Sequence, residues 1–342
     1  MVNRARLLSF VARLQGEHLP ISTQSASLTR LAGVPTLHPA NSTQIPSVRR
    51  DQVELRRNIQ YAARGKYRYR MDVHVPRAGG PHPLVVFVPG GGFVTAVRRA
   101  AAKKRAYIAS RGFVVASIDY GTVPQTARFV EGVADVRAAI RFLRANADQF
   151  QVDPRHAALW GESAGGFLAG MTALTEGDTR FDQGPHLDQS SSVDAVVDVF
   201  GAADLTLIAE GFDARTAALH DRPASVNARY VLGHDTQLRL TDRPDEAAAA
   251  SPIARAAQHE SIRQRFLLLH GADDRIVSPN QSVALYQALR ARGADADLYL
   301  IAGAEHGDIA VSGATSRLWS TVEVMDRIAD FLAVRSPDSP GV

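Results

Sequence analysis

The chain has 342 residues, of which 45% are hydrophobic and 22% are charged, proportions typical of a globular protein with a large buried core. It contains no cysteine, which excludes disulfides, thiolate metal sites and a cysteine nucleophile. The net charge of +4 is spread unevenly, because 19 of the 39 basic residues but only 4 of the 35 acidic residues lie within the first 111 positions. Since no nucleic-acid motif and no aromatic interleaving accompany this basic third, we interpret it as a solvated face and predict no nucleic-acid partner.

The start of the chain does not have the pattern of a signal peptide. Arg13 interrupts its apolar run early, and no Ala-x-Ala site follows at the right distance. No window approaches 18 unbroken apolar residues, so no membrane span is predicted. We therefore expect a cytoplasmic protein. The oligomeric state is left open, with a homodimer as one possibility.

Residues 1–50 predict little regular structure. Residues 4–15 fit a short amphipathic helix, and the stretch from Ile21 to Pro46 is rich in Ser, Thr and Pro, which is typical of a wrapping segment or a loop. Residues 53–59 and 67–75 then alternate with period two, as half-buried antiparallel strands do.

From residue 83 onwards, apolar runs typical of buried strands alternate with helical patterns. The strands are predicted at 83–88, 113–119, 156–160, 193–200, 265–270 and 297–301. The helices are predicted at 97–110, 128–149, 163–175, 279–292 and 316–334. Repeated β-then-α units indicate an α/β fold with a mostly parallel central sheet, helices on both faces and right-handed crossovers.

About sixty residues without a clear strand separate the strands at 193–200 and 265–270. Helices fit 205–218 and 247–259 within this stretch, and a plain loop of that length would be unusual in a compact domain. We therefore predict a helical cap insertion at 201–262. The remaining boundaries define an N-terminal wrapping segment at 1–50, a main domain at 51–334 and a tail at 335–342.

A candidate nucleophile lies in the stretch Gly161-Glu162-Ser163-Ala164-Gly165. A predicted strand precedes it and a predicted helix follows, which is the setting that a nucleophile elbow requires. Glycines on both sides of Ser163 permit a turn that is too tight for a Cβ atom, and the helix N-terminus favours negative charge beside the hydroxyl. The alternative is a chance G-x-S-x-G in a glycine-containing turn.

An acyl-transfer site also needs a base and an orienting acid, which we expect at strand ends, where open α/β sheets place ligands. Asp274 is preferred over Asp273 as the acid, because two apolar residues would pack behind it; the alternative is a turn or capping role. His306 follows the last predicted strand and gives the chain order Ser–Asp–His, a known order for such triads. His270 is the second candidate for the base, but it ends a strand and would compete with Asp274 for space.

The glycine run at 89–93 follows a buried strand and is the candidate oxyanion loop. Consecutive glycines let backbone N–H groups face a substrate oxygen with no side chain in the way. Gly91, Gly92 and Ala164, the residue after the serine, are the predicted donors. A phosphate cradle is disfavoured, because no Gly-Lys-Ser/Thr follows and the spacing is not G-x-G-x-x-G.

A basic group follows this loop. It consists of Arg98, Arg99, Lys103, Lys104 and Arg105. We interpret it as a solvated helix face. The alternative hypothesis is that it borders the mouth of the pocket and favours an anionic acyl or alcohol portion of the substrate.

Taken in order, these motifs resemble those of the α/β-hydrolase superfamily. The most similar branch is that of hormone-sensitive-lipase-like carboxylesterases and bacterial feruloyl or acetyl-xylan esterases. The resemblance covers roughly residues 67–334. It rests on Pro-Gly-Gly-Gly-Phe at 89–93, Ile-Asp-Tyr at 118–120, the run at 135–143, Gly-Glu-Ser-Ala-Gly-Gly at 161–166, Ala-Ser-Pro at 250–252, His-Gly-x-x-Asp at 270–274 and Glu-His-Gly at 305–307.

The resemblance implies an α/β-hydrolase fold and hydrolysis of a small-molecule ester, without cofactor or metal, by the triad Ser163, Asp274 and His306. The same machinery could instead serve a peptidase, lactonase, thioesterase or acyltransferase, and the fold can also form a non-catalytic small-molecule receptor. Two positions depart from the family pattern: Pro89 replaces the usual His, and Gly121 replaces the usual Arg. Residues 1–50 match no part of it.

Overall fold

The computed structural model describes residues 20–27, 33–308 and 317–333. Within them, nine strands form one sheet. The strands are β1 (Thr36–Leu37), β2 (Val53–Arg64), β3 (Tyr67–Pro76), β4 (His82–Val88), β5 (Val114–Ile118), β6 (Val152–Glu162), β7 (Ala195–Val199), β8 (Arg265–Gly271) and β9 (Ala296–Ile301). Their spatial order is β1-β9-β8-β7-β6-β4-β5-β3-β2.

Ten α-helices lie in the described residues. They are α1 (Ala102–Ser110), α2 (Phe129–Ala145), α3 (Ala147–Phe150), α4 (Ala164–Leu174), α5 (Ala214–His220), α6 (Val226–Leu232), α7 (Pro244–Ala249), α8 (Pro252–Gln258), α9 (Asn280–Arg290) and α10 (Val322–Ala333). Short 3₁₀ turns occur at Pro39–Asn41, Val123–Gln125, Thr179–Phe181, Leu240–Asp242 and Leu318–Ser320.

The sheet is mostly parallel and covered on both faces, as the sequence predicts. Only β2 with β3 and β3 with β5 pair antiparallel, which agrees with the period-two alternation of β2 and β3. Successive side chains of β4 enter opposite cores. Val86 packs in the core that α2, α4 and α9 cover, whereas Val85 packs in the core that α1 and α10 cover. The carboxyl ends of the parallel strands therefore meet at one edge, where β4, β6, β8 and β9 each lead into a candidate site loop.

Several predicted boundaries are wrong for local reasons. The helix expected at 97–110 begins only at Ala102, because Ala101 has a left-handed backbone with φ of 52°. The helix expected at 128–149 divides into α2 and α3, and the strand expected at 156–160 extends over all of β6. The amphipathic helix expected at 4–15 lies outside the described residues.

The insertion predicted at 201–262 is described throughout, and it contains helices α5 to α8 and no strand. The prediction of a helix at 205–218 is wrong before Ala214, where α5 begins. Helix α6 was not predicted. The helix expected at 247–259 is interrupted, because the Ser251 side chain accepts a hydrogen bond from the Ala254 amide and Pro252 starts a new helix. The exact domain boundaries remain a prediction. Among the described helices, none is both long and apolar enough to cross a bilayer.

Candidate active site

Ser163 lies at the turn between β6 and α4. Its backbone is strained, with φ of 56° and ψ of −121°, a conformation that L side chains rarely adopt. A Cβ atom on Gly161 would lie 2.2 Å from the Gly165 carbonyl oxygen, and one on Gly165 would lie 1.9 Å from the Val88 carbonyl oxygen. Both glycines are therefore required by the close approach of backbone to backbone, as expected for an elbow.

His306 lies in the loop after β9 and connects the serine to the acid. Its Nε2 is 2.8 Å from Ser163 Oγ, and its Nδ1 is 2.7 Å from Asp274 Oδ2. Because Nδ1 faces a carboxylate, the neutral imidazole carries its proton there, and Nε2 is left to accept the serine hydroxyl. The structure thus brings the three predicted triad residues together in the order that acyl transfer needs.

An aromatic pair supports the imidazole. The Phe200 ring lies 4.7 Å from that of His306, and the Trp319 ring packs edge-on against Phe200 at 4.7 Å. Trp319 Nε1 also donates a hydrogen bond of 2.9 Å to the Glu305 carbonyl oxygen, which fixes the backbone directly before His306. Neither aromatic residue was predicted, because both contacts join segments that are distant in sequence.

Asp274 is completely buried in the loop after β8. Its Oδ1 accepts the backbone N–H groups of Ile276 at 2.8 Å and Val277 at 3.0 Å. The two residues expected to pack behind the acid therefore orient it through their amides. Although burial acts to raise the pKa of Asp274, the neighbouring His306 and the hydrogen bonds from His270 and His306 hold it well below its ordinary value.

His270, the second candidate for the base, contacts the acid instead of competing with it. Its Nε2 lies 3.1 Å from the Val277 carbonyl oxygen and 3.3 Å from Asp274 Oδ2, and its Nδ1 lies 2.7 Å from Ser282 Oγ. Two acceptors at Nε2 place the proton there, so that Nδ1 accepts from the Ser282 hydroxyl. The spacing His-Gly-x-x-Asp was the available signal for this second histidine.

The glycine loop after β4 lies against the nucleophile, since a Cβ atom on Gly90 would lie 3.1 Å from Ser163 Cβ. Gly91 and Gly92 both have positive φ, 151° and 58°. The Gly91 carbonyl oxygen accepts the amides of Val94 at 3.1 Å and Thr95 at 3.2 Å, which closes the loop on itself. Ala164 is the first residue of α4, where an N–H group has no acceptor within its own helix.

The two departures from the family pattern have local compensations. The Tyr120 hydroxyl donates a hydrogen bond of 2.9 Å to the carbonyl oxygen of Pro89, which fixes the start of the glycine loop. At Gly121, the Arg64 guanidinium of β2 occupies the adjacent space and pairs with Asp135 at 2.7 Å. The buried Asp135 therefore has a cationic partner although Gly121 supplies none.

The basic group at 98–105 is not one solvated face, so that prediction is wrong for three of its five residues, whereas the other two are exposed as expected. Arg98 pairs with Asp72 at 3.1 Å and with Asp119 at 2.7 Å. Arg105 is only 1% exposed, and Lys104 is buried as well. The prediction failed because Arg98 and Lys104 pair with carboxylates that are distant in sequence, which the local charge pattern does not reveal.

Lys104 reaches the residue directly before the nucleophile. Its Nζ lies 2.5 Å from Glu162 Oε1, and the two side chains are only 9% and 13% exposed. Although burial acts to lower the pKa of Lys104, the carboxylates of Glu162 and Asp308 raise it. The positive charge of Lys104 therefore offsets the negative charge beside Ser163. Within the described part of the chain, no group of three or more His, Asp or Glu side chains could hold a metal ion.

The family model BD-FAE matches residues 71–289, which is most of the chain. The chain belongs to the BD-FAE family. Esterase LipC from Mycobacterium tuberculosis is 33% identical to it over 241 residues, which cover 68% of this chain and 55% of the relative. The probable isoprenylcysteine alpha-carbonyl methylesterase ICMEL1 from Oryza sativa subsp. japonica is 29% identical over 244 residues, covering 71% of this chain and 55% of the relative.

This BD-FAE family member thus spans about half the length of the curated relatives that it matches. Its fold resembles a truncated carbohydrate esterase from gut microbiota with a TM-score of 0.69, at 23% identity, over 86% of this chain and 98% of that one. The predicted α/β-hydrolase fold and the resemblance to an esterase branch of that superfamily are confirmed.

Proposed function

We propose that this BD-FAE family member is a serine hydrolase that cleaves carboxylic esters through an acyl-enzyme intermediate. The single observation that carries the proposal is the hydrogen-bonded series from Ser163 Oγ through His306 to Asp274, with steps of 2.8 and 2.7 Å. The names of the relatives, an esterase and a probable methylesterase, support an ester as the substrate. We also propose that the substrate is a small-molecule ester, that the protein is cytoplasmic and that it has no nucleic-acid partner.

In the first half of the reaction, the Ser163 oxygen attacks the acyl carbon while His306 Nε2 takes its proton. Asp274 stays ionised, because its neighbours hold its pKa low, and it stabilises the imidazolium that forms. The amides of Gly91, Gly92 and Ala164 are the proposed donors to the developing oxyanion. Each donor of this kind contributes about 2.7–4 kcal/mol of barrier lowering in acyl transfer.

The tetrahedral intermediate collapses when the imidazolium returns its proton to the leaving alcohol, which leaves the acyl group on Ser163. A water molecule then enters, His306 Nε2 removes one of its protons, and the resulting attack releases the acid and restores the serine. The positive charge of Lys104 limits repulsion between Glu162 and the oxyanion during both halves. No cofactor takes part in this scheme.

The test is a set of p-nitrophenyl esters of increasing acyl length, compared with a peptide anilide and a thioester of matched acyl group. We expect ester turnover to exceed turnover of the peptide and thioester. Ser163→Ala should lower kcat by roughly 10⁶-fold, whereas Ser47→Ala, at an exposed position, serves as the matched control and should change nothing. A Ser163→Ala variant that keeps more than about a hundredth of the wild-type kcat would contradict the proposal.

A further inference from the structure

An open cleft of about 420 Å³ is lined by residues of the edge strand β2, of its neighbour β3, and of helix α1 and the turn before it. We call it the arginine cleft. It is lined by Leu55, Arg57, Asp72, Arg99, Ala102 and Arg105. None of these residues belongs to the triad or to the glycine loop. The volume falls within the range of small-molecule sites, about 300–1,000 Å³.

Arg105 is the buried cation of this cleft. Its Nε donates to the Ala100 carbonyl oxygen at 2.9 Å, and its Nη2 donates to the Arg98 carbonyl oxygen at 2.9 Å. Its Nη1 lies 3.2 Å from His74 Nδ1. No carboxylate oxygen of the described residues lies within ion-pair distance of this guanidinium. A buried charge without a direct ion pair is costly, so an anion that binds next to Arg105 would be stabilised.

The charged groups around Arg105 offset its charge only from beyond ion-pair distance. Burial lowers the pKa of Arg105 to about 10, although the carboxylates of Asp72 and Glu162 act to raise it. His74 stays uncharged and only accepts a hydrogen bond, since burial and the neighbouring Arg105 lower its pKa to about 3. Asp72 Oδ1 already accepts hydrogen bonds from Arg98 Nε at 3.1 Å and from the backbone N–H of Asn58 at 2.8 Å. These contacts direct the carboxylate of Asp72 towards Arg98 and away from direct pairing with Arg105.

The remaining cations of the cleft are exposed. Arg57 and Arg99 border its opening, and neither forms an ion pair with any of the described residues. Arg98 pairs with two carboxylates, those of Asp72 and Asp119, and its own charge cancels one of their two negative charges. One negative charge therefore remains to offset the three arginines that line the cleft. The cleft therefore has an excess of positive charge that extends from its buried wall to its rim.

We infer that the arginine cleft binds the oxyanion group, phosphate or carboxylate, of a small molecule. A guanidinium has five N–H donors, and the three contacts above leave two of those of Arg105 free, one on each Nη. This arrangement suits the two oxygens of a phosphate or carboxylate. The bound anion would supply the counter-ion of Arg105, while Arg57 and Arg99 close over it from the rim. The inference is independent of ester hydrolysis.

Isothermal titration calorimetry of the full chain with inorganic phosphate and with acetate, at constant ionic strength set by chloride, tests the inference. Wild-type protein should bind at least one of these anions at a single saturable site. Stronger binding of phosphate would indicate a phosphate-bearing ligand, and stronger binding of acetate a carboxylate-bearing one. Arg57→Gln/Arg99→Gln should weaken binding at least tenfold, whereas Arg263→Gln, an exposed arginine outside the cleft, should stay within twofold of wild type.

Arg105→Lys tests the buried wall itself, with folding checked by a thermal melt in the absence of anion. It keeps the charge but removes the paired donors, so we expect affinity to fall at least tenfold in protein that still melts cooperatively. Absence of saturable heat with both anions would overturn the inference. The same conclusion would follow if the Arg57→Gln/Arg99→Gln protein bound as tightly as wild type.

Discussion

Asp274 and Arg105 are both buried charged groups, but the protein surrounds them differently. Both oxygens of Asp274 are matched by N–H groups from His306, His270 and two backbone amides. Arg105 has two carbonyl oxygens and an imidazole as its hydrogen-bond partners, and none of them is a carboxylate. A charge that is directly paired within its own chain is fixed in place for chemistry on a neighbour, whereas a charge without a direct ion pair can form one with a ligand.

Of the changes proposed here, removing the charge of Asp274 should have the largest effect on kcat. Asp274→Asn keeps the shape but can favour the wrong imidazole tautomer, so we expect kcat for ester hydrolysis to fall by about 10⁴-fold. The adjacent Asp273→Asn is the matched control and should change kcat less than twofold. Steady-state kinetics on a p-nitrophenyl ester measures both. Similar kcat values for the two variants would show that the acid has been assigned to the wrong aspartate.

Lys104 lies on the same helix as Arg105, but it forms a direct ion pair with Glu162 of β6. Protein stability measures what that pairing contributes. Lys104→Met leaves a buried carboxylate uncompensated, so it should lower the free energy of unfolding by about 3–5 kcal/mol. Adding Glu162→Gln should recover much of that loss, because the uncompensated charge is then gone. Urea unfolding at pH 7 provides the measurement.

Lys103→Met is the control for this pair, since Lys103 is exposed on the same helix, and it should stay within about 0.5 kcal/mol of wild type. If Lys104→Met were as stable as Lys103→Met, the ion pair would contribute nothing to the fold, and its charge balance beside Ser163 would lose its support.

The smallest expected effect concerns His270, whose contact with Asp274 is longer than that of His306. His270→Phe keeps much of the volume but removes the donor, so kcat should fall about tenfold, or roughly 1.4 kcal/mol, with little change in KM. His270→Gln, which can still donate, should retain more activity, and Ser282→Ala should lose less than His270→Phe.

A purely structural role for His270 would leave the bonding of the catalytic imidazole unchanged. The low-field proton resonance of His306 Nδ1 in an NMR spectrum reports on its hydrogen bond to Asp274, and we expect it to shift in His270→Phe. An unshifted resonance together with wild-type kcat would remove His270 from the group of residues that position the acid.

The sequence predicts the parts of the site that depend on local pattern. Ser163 is identifiable because a strand, two glycines and a helix surround it, and His306 because it follows the last strand in a known chain order. The support of Phe200 and Trp319 could not be predicted, because it joins residues that are more than one hundred positions apart. The interpretation of 98–105 as one solvated face failed because Arg98 and Lys104 pair with carboxylates from distant strands and loops, which a local charge pattern does not reveal.

Covalent labelling tests the central claim, that Ser163 is an activated nucleophile, most directly. Intact mass and peptide mapping after treatment with a fluorophosphonate should show one adduct per chain, on Ser163, with loss of ester hydrolysis in proportion to labelling. Asp274→Asn should be labelled much more slowly than Asp273→Asn. Full ester hydrolysis by protein that carries the adduct on Ser163, or stoichiometric labelling at another residue, would contradict the account.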